Sequence, residues 1–244
     1  MNINNRVAFI TGASSGIGKA IAKKLSETGC KVILASRDLK KLNALKNELV
    51  GESIVVEVDV SQTESVAKAF KKARVAFGKI DILINSAGVM PLTYLKNRHL
   101  DEWLQTIEVN VKGCLRCIHA ALPSMISNKQ GHIINISSVD GKEFYKGGAI
   151  YGASKSAIIA LSKAMRMELS PDYNIRVTCI EPGTVDTNLR DSITDEELLN
   201  DKDYDNEDEP KLNANNIADA VLYALNQPEN VNVNELLIKP TNKQ

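Results

Sequence analysis

No stretch of this sequence approaches the ~20 consecutive apolar residues that a membrane-spanning helix needs. The opening MNINNRV also lacks the apolar core of a signal peptide. These absences point to a cytoplasmic protein without a membrane partner. An excess of one charge is missing too: 30 basic side chains balance 30 acidic ones. Phosphate-backbone binding usually leaves a basic surplus, so nucleic acid is not expected as the main partner. His99, His119 and His132 form no ligand cluster, and no metal site is expected. Cysteine is sparse, although Cys114 and Cys117 make a C-x-x-C. They fall inside the helical pattern VNVKGCLRCIHAAL, away from a helix start that would lower a thiol pKa. They read as buried thiols serving as small apolar side chains.

What is present is a regular alternation over 244 residues, a length that suits one large domain. Strand-like runs occur at 7–10, 31–36, 53–60, 81–86, 131–138, 175–182 and 235–240. Helical patterns lie between them, near 16–28, 38–49, 62–77, 99–127, 152–170 and 214–226. Apolar strands separated by helices predict a parallel sheet covered on both faces. With right-handed crossovers this is an α/β, Rossmann-type doubly wound sheet of about seven strands in a single domain, 1–244. No internal repeat or interdomain linker interrupts it. Only 187–213 breaks the rhythm, with acids heavily outnumbering Lys202 between Asp195 and Glu209. Its place just beyond a strand end suits a substrate lid, and its charge equally suits a solvated insertion.

The stretch TGASSGIG, 11–18, follows the first strand and opens the first helix. Glycines there allow a tight turn, close backbone approach and helix–strand packing, while the helix N-terminus offers free N–H groups to a pyrophosphate. The spacing is G-x-x-x-G-x-G, which differs from the common G-x-G-x-x-G fingerprint. At the end of the second strand, an acid would bind the ribose 2′-hydroxyl of NAD. Ser36 and Arg37 stand there instead, followed by Lys40 and Lys41. A hydroxyl and a guanidinium suit a 2′-phosphate, so NADP(H) is the expected cofactor. Asp38 is expected to cap the next helix.

Tyr151 and Lys155 are four residues apart, which puts them on one face of a helix. A nearby ammonium would lower the tyrosine pKa and make Tyr151 a usable acid/base. Ser138 ends the strand HIINISS on the expected ligand edge, where its hydroxyl could hold a carbonyl oxygen.

These residues, with Asp59-Val60, Asn85-Ser86-Ala87-Gly88, Asn110 and Pro182-Gly183, make the chain resemble the short-chain dehydrogenase/reductase family over nearly its whole length. Ser86 departs from the pattern, where a second asparagine is frequent. The resemblance implies a catalytic set of Asn110, Ser138, Tyr151 and Lys155. Asn110 would hold a helix irregularity and a water in a proton relay. Ser138 would orient the substrate, and Tyr151 would transfer the proton. Lys155 would bind the nicotinamide ribose and tune Tyr151. Gly12, Ser14, Ser15, Gly16, Ile17 and Gly18 would cradle the phosphates, with Ala87 and Gly88 also at the cofactor. Asp59 and Val60 would flank the adenine, and Asn85 the adenine-side ribose. Pro182, Gly183, Val185 and Thr187 would wrap the nicotinamide.

The implied activity is NADP(H)-dependent interconversion of a small carbonyl compound and its alcohol. The stretches IEPGTVDT and QPENVNVNELLIKPTNKQ resemble reductases acting on serine and related 3-hydroxy acids. Lys142, Lys146 and Arg190 suit a substrate carboxylate and equally suit a solvated surface. The alternatives are a 3-oxoacyl-carrier-protein reductase and a regulatory protein that binds NADP(H) without turnover. Family resemblance also implies a homodimer or homotetramer formed through the helices near 99–127 and 152–170.

Overall fold

The computed structural model describes residues 3–201 and 210–241. Seven strands form one sheet in the order β3-β2-β1-β4-β5-β6-β7. They are β1 (Val7–Thr11), β2 (Lys31–Ser36), β3 (Ser53–Glu57), β4 (Ile82–Asn85), β5 (Gly131–Ile136), β6 (Ile175–Pro182) and β7 (Glu235–Ile238). Every pairing is parallel. The strand order reverses between β1 and β4, and a crevice opens there beyond the strand ends.

Burial on both faces explains the near-continuous apolar strands. Phe9, Ile33, Leu83, Ile133 and Val177 pack on one face with α3 (Thr63–Phe77) and α5 (Cys114–Asn128). Ile10, Leu34, Ile84, Ile134 and Ile180 pack on the other with α1 (Gly16–Glu27) and α8 (Ala214–Asn226). Successive strand residues thus serve opposite cores, as a period of two requires. The shorter α2 (Leu39–Glu48) also carries the expected cap: the Asp38 side chain accepts from Lys41 N at 2.9 Å.

The helical pattern 99–127 is not one α-helix. It divides into α4 (Leu100–Ile107), a π-helical turn over Glu108–Gly113, and α5. Asn110 lies inside this turn, where its amide faces the chain after β4. Gly113 lets the turn press onto Val60; a Cβ there would lie 2.8 Å from Val60 Cγ2. The cysteines behave as small core groups. Cys114 and Cys117 are free and buried, and desolvation pushes the Cys117 thiol up to about 12.

The long α6 (Ala149–Tyr173) connects β5 to β6 and packs on β6. After β6 the chain enters a short 3-10 turn (Asn188–Ser192) and α7 (Glu196–Leu199). The ends of this excursion meet, since Leu212 N donates to Thr184 O at 2.8 Å and Asp186 N to Leu212 O at 2.9 Å. Residues 202–209 of the expected lid lie outside the described residues.

Candidate active site

A cleft of about 1190 Å³ runs across the strand ends on both sides of the β1–β4 switch. It exceeds the roughly 300–1,000 Å³ of pockets that hold one drug-sized ligand, leaving room for a dinucleotide and a substrate together. Nearly every expected cofactor residue lines it: Gly12, Ser14 to Gly18, Ser36, Arg37, Asp59, Val60, Ala87, Gly88, Pro182, Gly183, Val185 and Thr187.

The glycine loop is shaped first by the protein's own backbone. Gly12 has φ +67°, and a Cβ on it would lie 2.9 Å from both Ser86 O and Ala87 N. A Cβ on Gly18 would approach Gly12 O to 2.4 Å. These two glycines therefore let α1 and the chain after β4 close on one another. Gly16, at φ +49°, adopts a left-handed conformation at the helix start and faces the Thr187 methyl. The Ser15 side chain does not cap α1, which leaves that helix terminus to the cleft.

At the outer end, the buried Ser36 hydroxyl accepts from Asp38 N at 3.2 Å. Arg37 is exposed, and Lys41 lies beside it in the cleft wall, 3.6 Å from the Asp38 carboxylate. Asp38 is thus committed to its helix and to Lys41. The Asp59 carboxylate is also occupied, accepting from Ser61 N at 2.9 Å and Ser61 Oγ at 2.7 Å.

Asn85 requires a correction. It does not line the cleft; Asn85 Nδ2 donates to Asn135 Oδ1 at 2.9 Å, and the side chain lines a separate inner cavity of about 10 Å³. It is buried in the last position of β4, and its side chain is engaged by its neighbour on β5. Asn110 is not on the cleft either. Its Oδ1 accepts from Val89 N, and its Nδ2 donates to Val89 O, both at 2.9 Å. A further bond to Ser154 Oγ, 3.1 Å, ties the π turn to α6. The inner cavity lies among Asn85, Asn110 and Lys155 and is at the lower limit of size for a water.

Ser138, Tyr151 and Lys155 do converge. All three line the cleft and are buried. Lys155 Nζ sits 5.4 Å from the Tyr151 ring centroid and donates to Ile136 O at 3.1 Å. Ser138 Oγ accepts from Asp140 N at 3.1 Å. The expected lowering of the Tyr151 pKa does not occur. Burial drives the phenol well above its ordinary value, Asp140 adds to the rise, and hydrogen bonding with Ser138 opposes it. Lys155 lies over the ring and is itself depressed to about 8 by desolvation. In this environment the loss of hydration outweighs the nearby ammonium.

The segment after β6 is docked beside these residues. Ile193 and Leu198 pack with Leu92 and Tyr151 in a small apolar cluster. Asp195, 2% exposed, accepts from Tyr94 N at 2.9 Å and Asn97 Nδ2 at 3.0 Å, and also caps α7. Tyr94–Asp201, Lys96–Glu197 and Thr194–Glu102 extend this seam. Of the suggested carboxylate partners, Lys142 is taken by Glu181 and Glu235, both at 2.8 Å. Lys142 and Lys146 do not line the cleft, whereas Arg190 does.

Sequence reasoning overlooked Asn135, Ser154 and Asp140. Asn135 and Ser154 were detectable as polar interruptions within buried runs. Asp140 carries no such signal.

Residues 6–198 match the family described as short chain dehydrogenase. The chain belongs to the short-chain dehydrogenases. It is therefore a dehydrogenase/reductase, and its relatives agree. An uncharacterized oxidoreductase of Staphylococcus aureus strain MW2 is 42% identical over 239 residues, covering 98% of each chain. The closed form of a serine dehydrogenase complexed with NADP+ superposes with TM-score 0.90 at 30% identity, covering 98% of this dehydrogenase and 96% of that chain. An alcohol dehydrogenase from the archaeon Thermococcus sibiricus, complexed with 5-hydroxy-NADP, has TM-score 0.87 and 30% identity, with 98% of both chains covered. Among the described residues no helix is long and apolar enough to cross a membrane, and no group of three or more His, Cys, Asp or Glu is placed to hold a metal.

Proposed function

We propose that this dehydrogenase is an NADP(H)-dependent carbonyl reductase/alcohol dehydrogenase. The observation that carries the reading is one continuous cleft that joins the open N-terminus of α1, the Ser36–Arg37 corner and the Ser138–Tyr151–Lys155 cluster. Two structural neighbours carry NADP or a derivative, which supports the same cofactor here. The glycine loop and α1 would hold its phosphates, Arg37 and Lys41 the 2′-phosphate, and Lys155 the nicotinamide ribose. When bound, NADPH supplies the hydride delivered to the carbonyl carbon.

The chain's own residues supply the proton. Ser138 holds the carbonyl oxygen by a hydrogen bond. Tyr151, kept in its neutral form by burial, donates its phenolic proton to that oxygen, so the product is an alcohol. Asn110 acts from behind, keeping the π turn and α6 in register through Val89 and Ser154. The docked 193–198 segment excludes water on the substrate side, as a lid does. A regulatory protein that only senses cofactor has no use for this proton-transfer cluster.

The structural likeness to serine dehydrogenase supports an alcohol substrate, but the ion pairs of Lys142 weaken the case for a carboxylate at this site. We also propose a cytoplasmic homo-oligomer, supported by exposed Leu100, Leu115 and Met167 on α4, α5 and α6. NADPH oxidation against aldehydes, ketones, 3-oxo acids and 3-oxoacyl thioesters tests the reaction. Tight NADPH binding with no turnover of any carbonyl would instead establish the regulatory alternative.

A further inference from the structure

The cleft changes character beyond Ser138 and Tyr151. Phe144 lines it with 71% of its surface exposed, and Leu104 with 59%. Met90, Leu92, Val139 and Leu189 continue the apolar wall inward. Phe144 leans on α6 beside the reacting residues: a Cβ on Gly152, next to Tyr151, would lie 3.2 Å from Phe144 Cδ1. Isolated exposed apolar side chains are ordinary on a protein surface. Here they stand at the mouth of the reaction cleft and run into a buried apolar wall, the composition of a ligand pocket.

Charge narrows the ligand. Glu143 is bonded by Lys239 at 2.5 Å, and Glu108 by Lys112 at 2.8 Å and by Arg116. Those acids carry nearby compensation. Asp140 lines the cleft two residues beyond Ser138, where Tyr145 Oη donates to its carboxylate at 3.4 Å and the Lys155 ammonium is near enough to interact with it. The charged groups named here are thus engaged within the protein, and a substrate carboxylate beside the reacting carbonyl would have to compete for them. Arg190 also lines the cleft but has an interaction of its own.

We infer that the substrate is an uncharged ketone with an extended apolar substituent, its carbonyl at Ser138 and Tyr151 and its tail along Phe144 and Leu104. This rests on the reductase reading above and deepens it. The test is NADPH oxidation across methyl ketones from 2-butanone to 2-decanone, alongside 3-oxo acids of matching length. Calorimetric binding of 2-nonanol to the NADPH-loaded enzyme, an unreactive pair, gives a second readout.

Wild-type kcat/KM should rise about fourfold per methylene over the first few added groups. Phe144→Ala should flatten that slope, raising KM for 2-decanone about tenfold and weakening 2-nonanol binding in parallel. Leu104→Ala should do the same to a smaller extent. A flat chain-length profile, or 3-oxo acids preferred over ketones by the wild type, would overturn the inference while leaving the reductase reading intact. No turnover of any carbonyl would defeat both.

Discussion

The two ends of the cleft are built differently. The cofactor end is made largely of backbone: Gly12 against Ser86 and Ala87, Gly18 against Gly12 O, and an uncapped α1 terminus. The substrate end is made of side chains drawn from distant segments: Ser138, Tyr151, Phe144, and a docked stretch held by Asp195. Backbone geometry tolerates almost no substitution. Side-chain walls can change chemistry without changing the fold, which is how one architecture serves many substrates.

The largest expected effect is at Tyr151, the proposed proton donor. Tyr151→Phe keeps the ring and removes the transferable proton, so kcat should fall by at least ~10²-fold. NADPH affinity, measured by fluorescence titration, should be retained, separating the two ends cleanly. Most of the turnover surviving in this variant would assign proton transfer elsewhere.

Lys155 tests the electrostatics at their junction. Its pKa is depressed from 10.5 to about 8, so between those values the unfolded chain binds more protons than the folded one. Stability should therefore rise with pH across this window, by on the order of 3 kcal/mol in total. Denaturation curves between pH 7 and 11 should show the rise, and Lys155→Met should remove it. A wild-type stability that falls throughout the window would contradict the desolvated ammonium.

Gly18→Ala places a methyl 2.4 Å from Gly12 O, and neither backbone can move without parting α1 from β1. We expect a loss of about 1–3 kcal/mol in stability, the usual scale of overpacking. Cofactor affinity should fall with it. At the opposite end Leu104→Ala, with the side chain 59% exposed, should leave the unfolding midpoint nearly in place.

Cofactor choice should respond on a smaller scale. Ser36→Asp with Arg37→Ala should turn the NADPH preference toward NADH, a change of about tenfold or more in kcat/KM. Equal efficiency with both cofactors in the unmodified enzyme would undo the assignment of this corner.

The smallest effect concerns the docked segment. Asp195 is held below its ordinary pKa by Asn97, Tyr94 N and Leu198 N, against the upward push of burial. Its contribution is present above the unfolded pKa of about 3.8 and is lost as pH falls through the lower, folded value. Asp195→Ala should speed hydrogen exchange over 193–201 at neutral pH, with little change in the sheet. Unaltered protection of that segment would show that its apolar contacts alone suffice to dock it.

Much of this was legible in the residues. The limits of β2 and β6 fall where their apolar runs begin and end, because both faces of those strands are buried. The glycine loop, the Asp38 cap and the Tyr151–Lys155 spacing follow from local rules of turn, cap and helix geometry. Asn85 and the tyrosine pKa did not follow. Asn85 takes its direction from Asn135 on the neighbouring strand, 50 positions away in sequence. The Tyr151 phenol responds to burial assembled from the stretch after β4, α6 and the docked segment, and no spacing encodes that sum.

Periodicity, glycine placement and the order of short motifs were enough to specify a doubly wound sheet, the position of its cleft and the convergence there of Ser138, Tyr151 and Lys155. These are properties of neighbours along the chain, where helix and strand repeats dictate who shares a face. The division of 99–127 by a π turn, the inward rotation of Asn85, the sequestering of Lys142 and the apolar mouth at Phe144 and Leu104 arose from packing between remote segments. Desolvation and steric fit depend on what arrives from elsewhere in the fold, so they came into being with the assembled structure.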